Sequence, residues 1–507
     1  MLPPRDAEGS PVTIHRTCRS CGFMASALIA SLMILISSGC AATARSKSPL
    51  GQTAIPTAQN QEIDGWWKLL GSRRLDSLVS LALERNRSLQ SAEAALVQAR
   101  ELANSLMLSS RSPLVGIGLS GQRQRLNPNM LGLAGEPREF TLYNVGLSAS
   151  YQLDLSGGNR RSLEALAART MYRQHELAAA RLNVAAVVVT TALLRGRVAS
   201  QLALNETLLD VQEELLDITR QSTLFGHGTP HELSLREAEL ANFRVSMPRL
   251  SQQVDAADHL LATLTGELPQ EATAPEFVLE QFVPSVTFPT VVPSGLVRSR
   301  PDILAAEALL EASTAEYKVS VSRFFPRINL SASLGSQVLS RGSLFGVGTA
   351  VWSVLGQLTQ PLLDPGLPSA RRASLAAVDV ARAHYEDVVL SAFREVADAM
   401  SALKHDDEVQ VSLGQAVRAS EAALASVEKQ YELGSASYLQ VLTSRLQVGQ
   451  DRIALIDATA QRMLDGVRLF QALGVCSLPE EWPEYSAGVD QPTTPEPLSD
   501  CLSPRAG

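Results

Sequence analysis

Residues 295–335 read GLVRSRPDILAAEALLEASTAEYKVSVSRFFPRINLSASLG, and a change of period partway along them decides the fold. Pro301 opens a helix, where its missing N–H and fixed φ cost nothing, and Asp302 complements the positive helix end. Ile303, Ala306, Leu310, Ser313 and Tyr317 then recur at helical spacing, giving one packed face. At Phe324-Phe325-Pro326 the period changes. Ile328, Leu330, Ala332 and Leu334 alternate with Arg327, Asn329, Ser331 and Ser333, the pattern of a strand with one apolar face. A long helix feeding straight into a half-apolar strand is unusual in a compact soluble domain.

Three elements of this block carry a family likeness: Arg300-Pro301-Asp302-Ile303 at the helix start, the pair Ala306-Glu307, and Phe324-Phe325-Pro326 before the strand. Together they resemble the signature of TolC-like outer-membrane efflux channels, in the lipoprotein branch that serves tripartite, RND-type drug and metal pumps. The resemblance runs from about Trp66 to about Trp482. It marks Arg300, Pro301, Asp302, Glu307 and Pro326, with turn glycines Gly228 and Gly434, as framework positions. It implies a mainly α chain with a membrane β-barrel part, built from two tandem repeats of helix, strand, strand, long helix and helix. Three copies would then form a twelve-stranded barrel above a periplasmic helical barrel, docked on a periplasmic adaptor and an inner-membrane pump.

Bulk composition agrees with close-packed helices. Of 507 residues, 19% are charged and 5% aromatic, and the formal charge is −8. A nucleic-acid binder needs a basic face, so that class is excluded. Residues 1–39 read as a signal peptide: Arg16 and Arg19 precede an apolar stretch, 23–36, too short to span a bilayer. Ser37-Ser38-Gly39-Cys40 looks like a lipoprotein cleavage box, with Ser37 where Leu is usual. Acylation of Cys40 and a lipidated linker over 40–61 are expected; the alternative is ordinary cleavage near Ala44. Cys18 and Cys21 fall in the leader. Cys476 and Cys501 either form a disulfide in an oxidising periplasm or stay as two free thiols. No segment after the leader holds 18 uninterrupted apolar residues, so a membrane crossing must use strands.

Taken in order, the mature chain shows one unit twice, over 62–280 and 281–475, with a Pro-rich tail at 476–507 that reads as disordered. Trp66-Trp67 reads as core packing. Residues 75–108 are one helical pattern. Residues 114–121 alternate as a strand, and so do 140–155, with a phase slip between Tyr143 and Gly146. No proline then intervenes before Pro230, leaving about 69 helix-compatible residues, roughly 100 Å at 1.5 Å per residue. A second helix, 231–264, is expected to be interrupted at Pro248. The pattern then recurs: Ala92-Glu93-Ala94 with Ala306-Glu307-Ala308, Pro113 with Pro326, Asp154 with Asp364, Arg160-Arg161 with Arg371-Arg372, and Gly228 with Gly434. Duplication followed by loop-length drift leaves such a record. From Ser369 to Gly434 there is again no proline. The last helix covers 437–473.

Two units supply four strands, too few to close a barrel, and membranes do not tolerate open sheet edges. Closure therefore requires several chains. Phe140, Tyr143, Tyr151, Phe345 and Trp352 are candidates for the interfacial girdle, though some of them can equally pack beneath the loop.

No catalytic constellation, phosphate loop or H-E-x-x-H motif is present, so neither enzyme activity nor a cofactor is expected. His227 and His231 are separated by Pro230 and a turn, and His405-Asp406-Asp407-Glu408 reads as a solvated helix face. The turns at 224–240 and 430–444 are expected at the gated inner end. Relatives in the resembled family carry carboxylates at that mouth. The matching positions here, Gln440 and Thr443, are uncharged. Closure would then rest on Tyr438, Gln440 and Arg445, with Glu232 and Glu237 as partners of Arg445; the competing reading makes all of these ordinary exposed tip residues. Two alternatives remain: a channel for protein or peptide secretion, and a soluble periplasmic coiled-coil scaffold or adaptor lipoprotein.

Overall fold

The computed structural model describes residues 65–128, 132, 134–270, 275–282, 298–339 and 349–474. The signal segment, Cys40, the linker to residue 61, Phe345, Cys476, Cys501 and the tail lie outside the described residues.

A short 3-10 turn, Trp66–Leu70, leads into α1 (Arg73–Arg85) and α2 (Arg87–Arg111). Sequence periodicity predicted one helix here, and Asn86 divides it. Its extended backbone ends α1, and its side-chain Oδ1 accepts from the N–H groups of Ser88 and Leu89 to cap α2. The strands β1 (Leu114–Leu126) and β2 (Arg138–Leu153) follow. Strand β1 runs five residues past the predicted Gly121, and Arg123 meets Glu139 across the hairpin at 2.9 Å. The phase slip produces no bulge, because the two strands pair one-to-one throughout.

Helix α3 (Gly158–Leu224) has 67 residues, about 100 Å. Helix α4 (Pro230–Leu264) follows, with Pro248 inside it. The expected interruption does not occur. Arg244 bonds Glu213 of α3 at 2.6 Å, and buried Leu240 and Leu261 hold α4 on either side of the proline. The second repeat supplies α5 (Pro301–Ser322), β3 (Arg327–Val338), β4 (Ala350–Thr359), α6 (Gly366–Glu432, again 67 residues) and α7 (Tyr438–Leu473).

The strands form one antiparallel sheet in the order β1-β2-β3-β4. The main core lies where α3 meets α1, α7 and the turn at Leu279–Gln281. Val188, Val189, Ala192 and Leu193 are fully buried there, and Trp66 stacks on Phe470 at 5.5 Å. Among the described residues only α3 contains a helical stretch long and apolar enough to cross a membrane, and 56% of that stretch is buried inside the chain. It is a core helix.

The two helical turns are also equivalent, with one correction. Gly434 (φ 74°) is matched by Gly226 (φ 78°), not by Gly228. Each follows a residue whose N–H closes the preceding helix: Phe225 onto the Gln221 carbonyl and Leu433 onto the Lys429 carbonyl. Left-handed backbone favours glycine at that position. Gly228 instead sits tight against Thr223, whose Oγ1 would lie 2.8 Å from an added Cβ.

Candidate functional site: a two-faced sheet and a helical tip

Strand register sorts the sheet into two chemistries. Directly opposed residues share a face. One face carries Val115, Ile117 and Leu119 of β1, then Val145, Leu147 and Ala149 of β2. It continues through Leu330, Ala332 and Leu334 of β3 to Trp352, Val354 and Leu358 of β4. The other face presents Gly116, Ser120 and Gln122, then Ser148 and Ser150, then Ser331 and Ser333, then Ser353 and Gln357. Leu114, Leu126, Phe140, Leu142, Val351 and Leu355 are apolar exceptions on it. The apolar face is open: Ile117 is 78% exposed, Trp352 73% and Val354 72%. Leaving such a continuous apolar surface in water is unfavourable, whereas lipid matches it. Of the girdle candidates, Tyr143, Tyr151 and Trp352 lie on this face. Phe140 pairs with Gln124 on the polar face, so it leaves the girdle.

Below the sheet, a single residue ties each repeat together. The Arg300 side chain, 8% exposed, binds Asp302 (2.6 Å), Glu395 of α6 (2.8 Å) and the Ala472 carbonyl at the end of α7 (2.7 Å). Burial opposes its charge, but the two carboxylates more than offset this, and the guanidinium is held above its ordinary pKa. Asn86 is the counterpart in the first repeat, where its Nδ2 donates to the Leu264 carbonyl at the end of α4 (3.0 Å). The motif around Arg300 was legible in sequence; its equivalence with Asn86 was not, since the two residue types share no pattern. Pro301 is buried at the first turn of α5, and Pro326 precedes β3. Glu307 lies near His175, whose pKa burial lowers while Glu307 opposes the shift. A cavity of about 620 Å³ opens between α2, α3, α5 and α6, walled by Ala92, Ala95, Ala180, Ala305 and Ala306. Arg173 and Glu176 beside it bind each other at 2.5 Å.

At the far end of the long helices lie the two turns. Leu224, Phe225 and Leu433 are each more than three-quarters exposed there. Arg445 reaches Glu428 of α6 at 3.0 Å, so neither predicted partner holds it within the chain. Glu237 lies 3.6 Å from Arg220 of α3 instead. The Arg445–Glu428 hydrogen bond raises the arginine's pKa. Tyr438 hydrogen-bonds Glu214 of α3, which raises its phenol pKa, and its ring is 5.3 Å from that of Tyr431. Beneath it, Leu208 and Leu215 of α3 pack with Leu442 and Leu446 of α7.

Gln440 serves the helix locally. Its Oε1 accepts from the Ser437 N–H (2.9 Å), while its own N–H donates to Ser437 Oγ (3.3 Å), a complete capping box. Glu232 holds the equivalent position in α4, where its N–H donates to Thr229 Oγ1. Thr443 bonds back to the Leu439 carbonyl. Among the described residues, no group of three or more His, Cys, Asp or Glu is arranged to hold a metal.

A sheet with one lipid-matching face, joined at one end of its strands to helices about 100 Å long, defines the class of outer-membrane conduits that combine a barrel with a helical tunnel. The family model described as outer membrane efflux protein matches the chain twice, over 78–267 and 292–475. The chain belongs to the outer membrane efflux protein family. It is 30% identical to outer membrane protein OprJ of Pseudomonas aeruginosa over 476 residues, covering 90% of this chain and 96% of that one. The cation efflux system protein CusC of Escherichia coli is 28% identical, with 83% and 90% covered. Among solved structures, the outer-membrane channel OprN superposes with a TM-score of 0.73 at 30% identity, covering 81% of this chain and 92% of the other.

Proposed function

We propose that this chain is the outer-membrane channel of a tripartite efflux system, passively conducting small molecules that an inner-membrane pump delivers through a periplasmic adaptor. The observation that carries the reading is the four-stranded sheet, apolar on one face and small and polar on the other. Among the described residues, its two outer strands, β1 and β4, each leave one edge unpaired within the chain. Joining β4 of one copy to β1 of the next closes a barrel, and three copies give twelve strands, within the range of membrane barrels. The polar face then lines a water-filled lumen. A soluble scaffold would leave the apolar face in water, which disfavours that alternative. Cargo is drawn from drugs, toxic compounds or metal ions. A lipid on Cys40 anchors the mature N-terminus to the outer membrane, and the barrel embeds the rest. The work is done by shape, without a cofactor or a chemical step.

Deletion of the protein tests the role. Susceptibility to a panel of drugs and divalent metals should rise for the pump's substrates, and the parent chain should restore resistance. Unchanged susceptibility with loss of a secreted polypeptide would favour the protein-secretion alternative.

With Gln440 capping its helix and Arg445 engaged by Glu428, the mouth lacks a carboxylate ring at these positions. Periplasmic-side di- and trivalent cations should block conductance poorly, and the pair Gln440→Asp, Thr443→Asp should introduce block. Strong block of the parent channel contradicts this.

A further inference from the structure

The segment His405-Asp406-Asp407-Glu408 is not uniformly solvated. Asp407 pairs with Arg462, and exposed His405 and Glu408 face each other at 3.5 Å. Asp406 instead meets Asp465 of α7, whose side chain is only 4% exposed. Both Asp465 oxygens already accept hydrogen bonds, Oδ1 from Arg468 (2.6 Å) and Oδ2 from Gln461 (2.7 Å). The Oδ2 atom of Asp406 is buried, and no protein N–H or O–H donates to it. Two ionised carboxylates have no donor between them. A proton on Asp406 supplies one, turning a like-charge contact into an O–H···O⁻ hydrogen bond.

We propose that Asp406 and Asp465 share a proton that fastens α6 to α7 about two turns before α7 ends, so that this contact loosens when the proton leaves. Two donors already serve Asp465, so the proton sits on Asp406. Burial, then the hydrogen bond and charge of Asp465, then the charge of Asp407, push the Asp406 carboxyl up to about 6 against the opposing effect of Arg462.

Among the described residues, the charged groups of α3 at this level are Arg195, engaged by Asp258 of α4 at 2.7 Å, and Arg197, which lies 3.7 Å from Asp457 of α7. Asn183 with Gln471 and Arg197 with Asp457 set the register of α3 on α7. Between those contacts α3 presents Val188, Val189, Ala192 and Leu193, all fully buried. The start of α5 lies level with Glu395, and Asp406 is about 16 Å further along α6. The groups facing the pair are therefore Asp407, Arg462, Gln461 and Arg468, all on α6 and α7.

The sign follows from linkage. In the folded chain Asp406 holds its proton to about pH 6, above the ordinary 3.8. Its stabilising contribution is thus complete below the ordinary value and is lost as pH rises through about 6. Half-buried His175, with its lowered pKa, contributes with the opposite sign. Parent and variants share that contribution, so the difference between them isolates the carboxylate pair.

The test uses the full protein in detergent, comparing parent, Asp406→Asn and Asp465→Asn. Asp406→Asn keeps size and supplies a permanent N–H donor. Infrared difference spectra of the parent should show a protonated-carboxyl band that disappears as pH rises through about 6. That band should be absent from Asp406→Asn and titrate at lower pH in Asp465→Asn. Hydrogen exchange of the α6 and α7 amides flanking the pair, corrected for intrinsic pH dependence, should accelerate across this range in the parent and stay level in Asp406→Asn. A parent without the band, or identical exchange profiles in parent and Asp406→Asn, overturns the proposal. Neither readout depends on cargo or pump, so failure here leaves the channel reading intact.

Discussion

Val188→Pro should destabilise the protein by about 3 kcal/mol or more per chain, through a lost helix hydrogen bond and a clash with the preceding turn. Val188 is fully buried on α3, and the carbonyl it would orphan belongs to Val184, itself 6% exposed. A buried carbonyl without a donor has no water to turn to. The proline already present in α4 marks the contrast. Pro248 frees the carbonyl of Arg244, an exposed residue where water can take the place of the missing N–H. Val388→Pro on α6, where Val388 is partly buried, should act in the same direction with a smaller effect. Thermal unfolding in detergent measures both. A Val188→Pro protein melting like the parent would contradict a continuous α3.

The second large effect concerns the sheet. Ile117→Arg places a cation on the apolar face three residues past the start of β1, at a cost of about 2–4 kcal/mol if that residue faces the membrane midplane. Ser148→Arg, on the opposite face of β2 and paired with Gly116, should be far better tolerated, because that face meets water. Yield of folded protein in the outer-membrane fraction separates the two. Equal loss, or none for Ile117→Arg, would contradict the assignment of faces.

Much of this architecture is written locally. The helical period ending at Phe324-Phe325-Pro326 and the alternation from Ile328 onward depend on neighbouring side chains alone, as do two long proline-free runs. The duplicated unit follows from the same local signals. Features set by tertiary partners were harder to read. Asn86 breaks a helical pattern because its side chain caps one helix while bonding Leu264, which is 178 residues away. Gly226 and Gly228 offer the same chemistry on paper, and only the backbone shows that Gly226 has the left-handed conformation. Pro248 predicts a break by its own chemistry, yet the packing of α4 on α3 carries the helix through. At the tip, Glu232 and Glu237 are the partners the sequence offers Arg445, whereas helix register selects Glu428. Asp406 looked like its solvated neighbours His405 and Glu408 until the position of α7 brought Asp465 against it.

The central claim is that four strands per chain close into a lumen only across copies. Native mass measurement of the detergent-extracted particle from purified outer membranes tests it most directly. The account predicts three copies of the chain in one particle that needs detergent for release. A single chain, or release by salt without detergent, would contradict it.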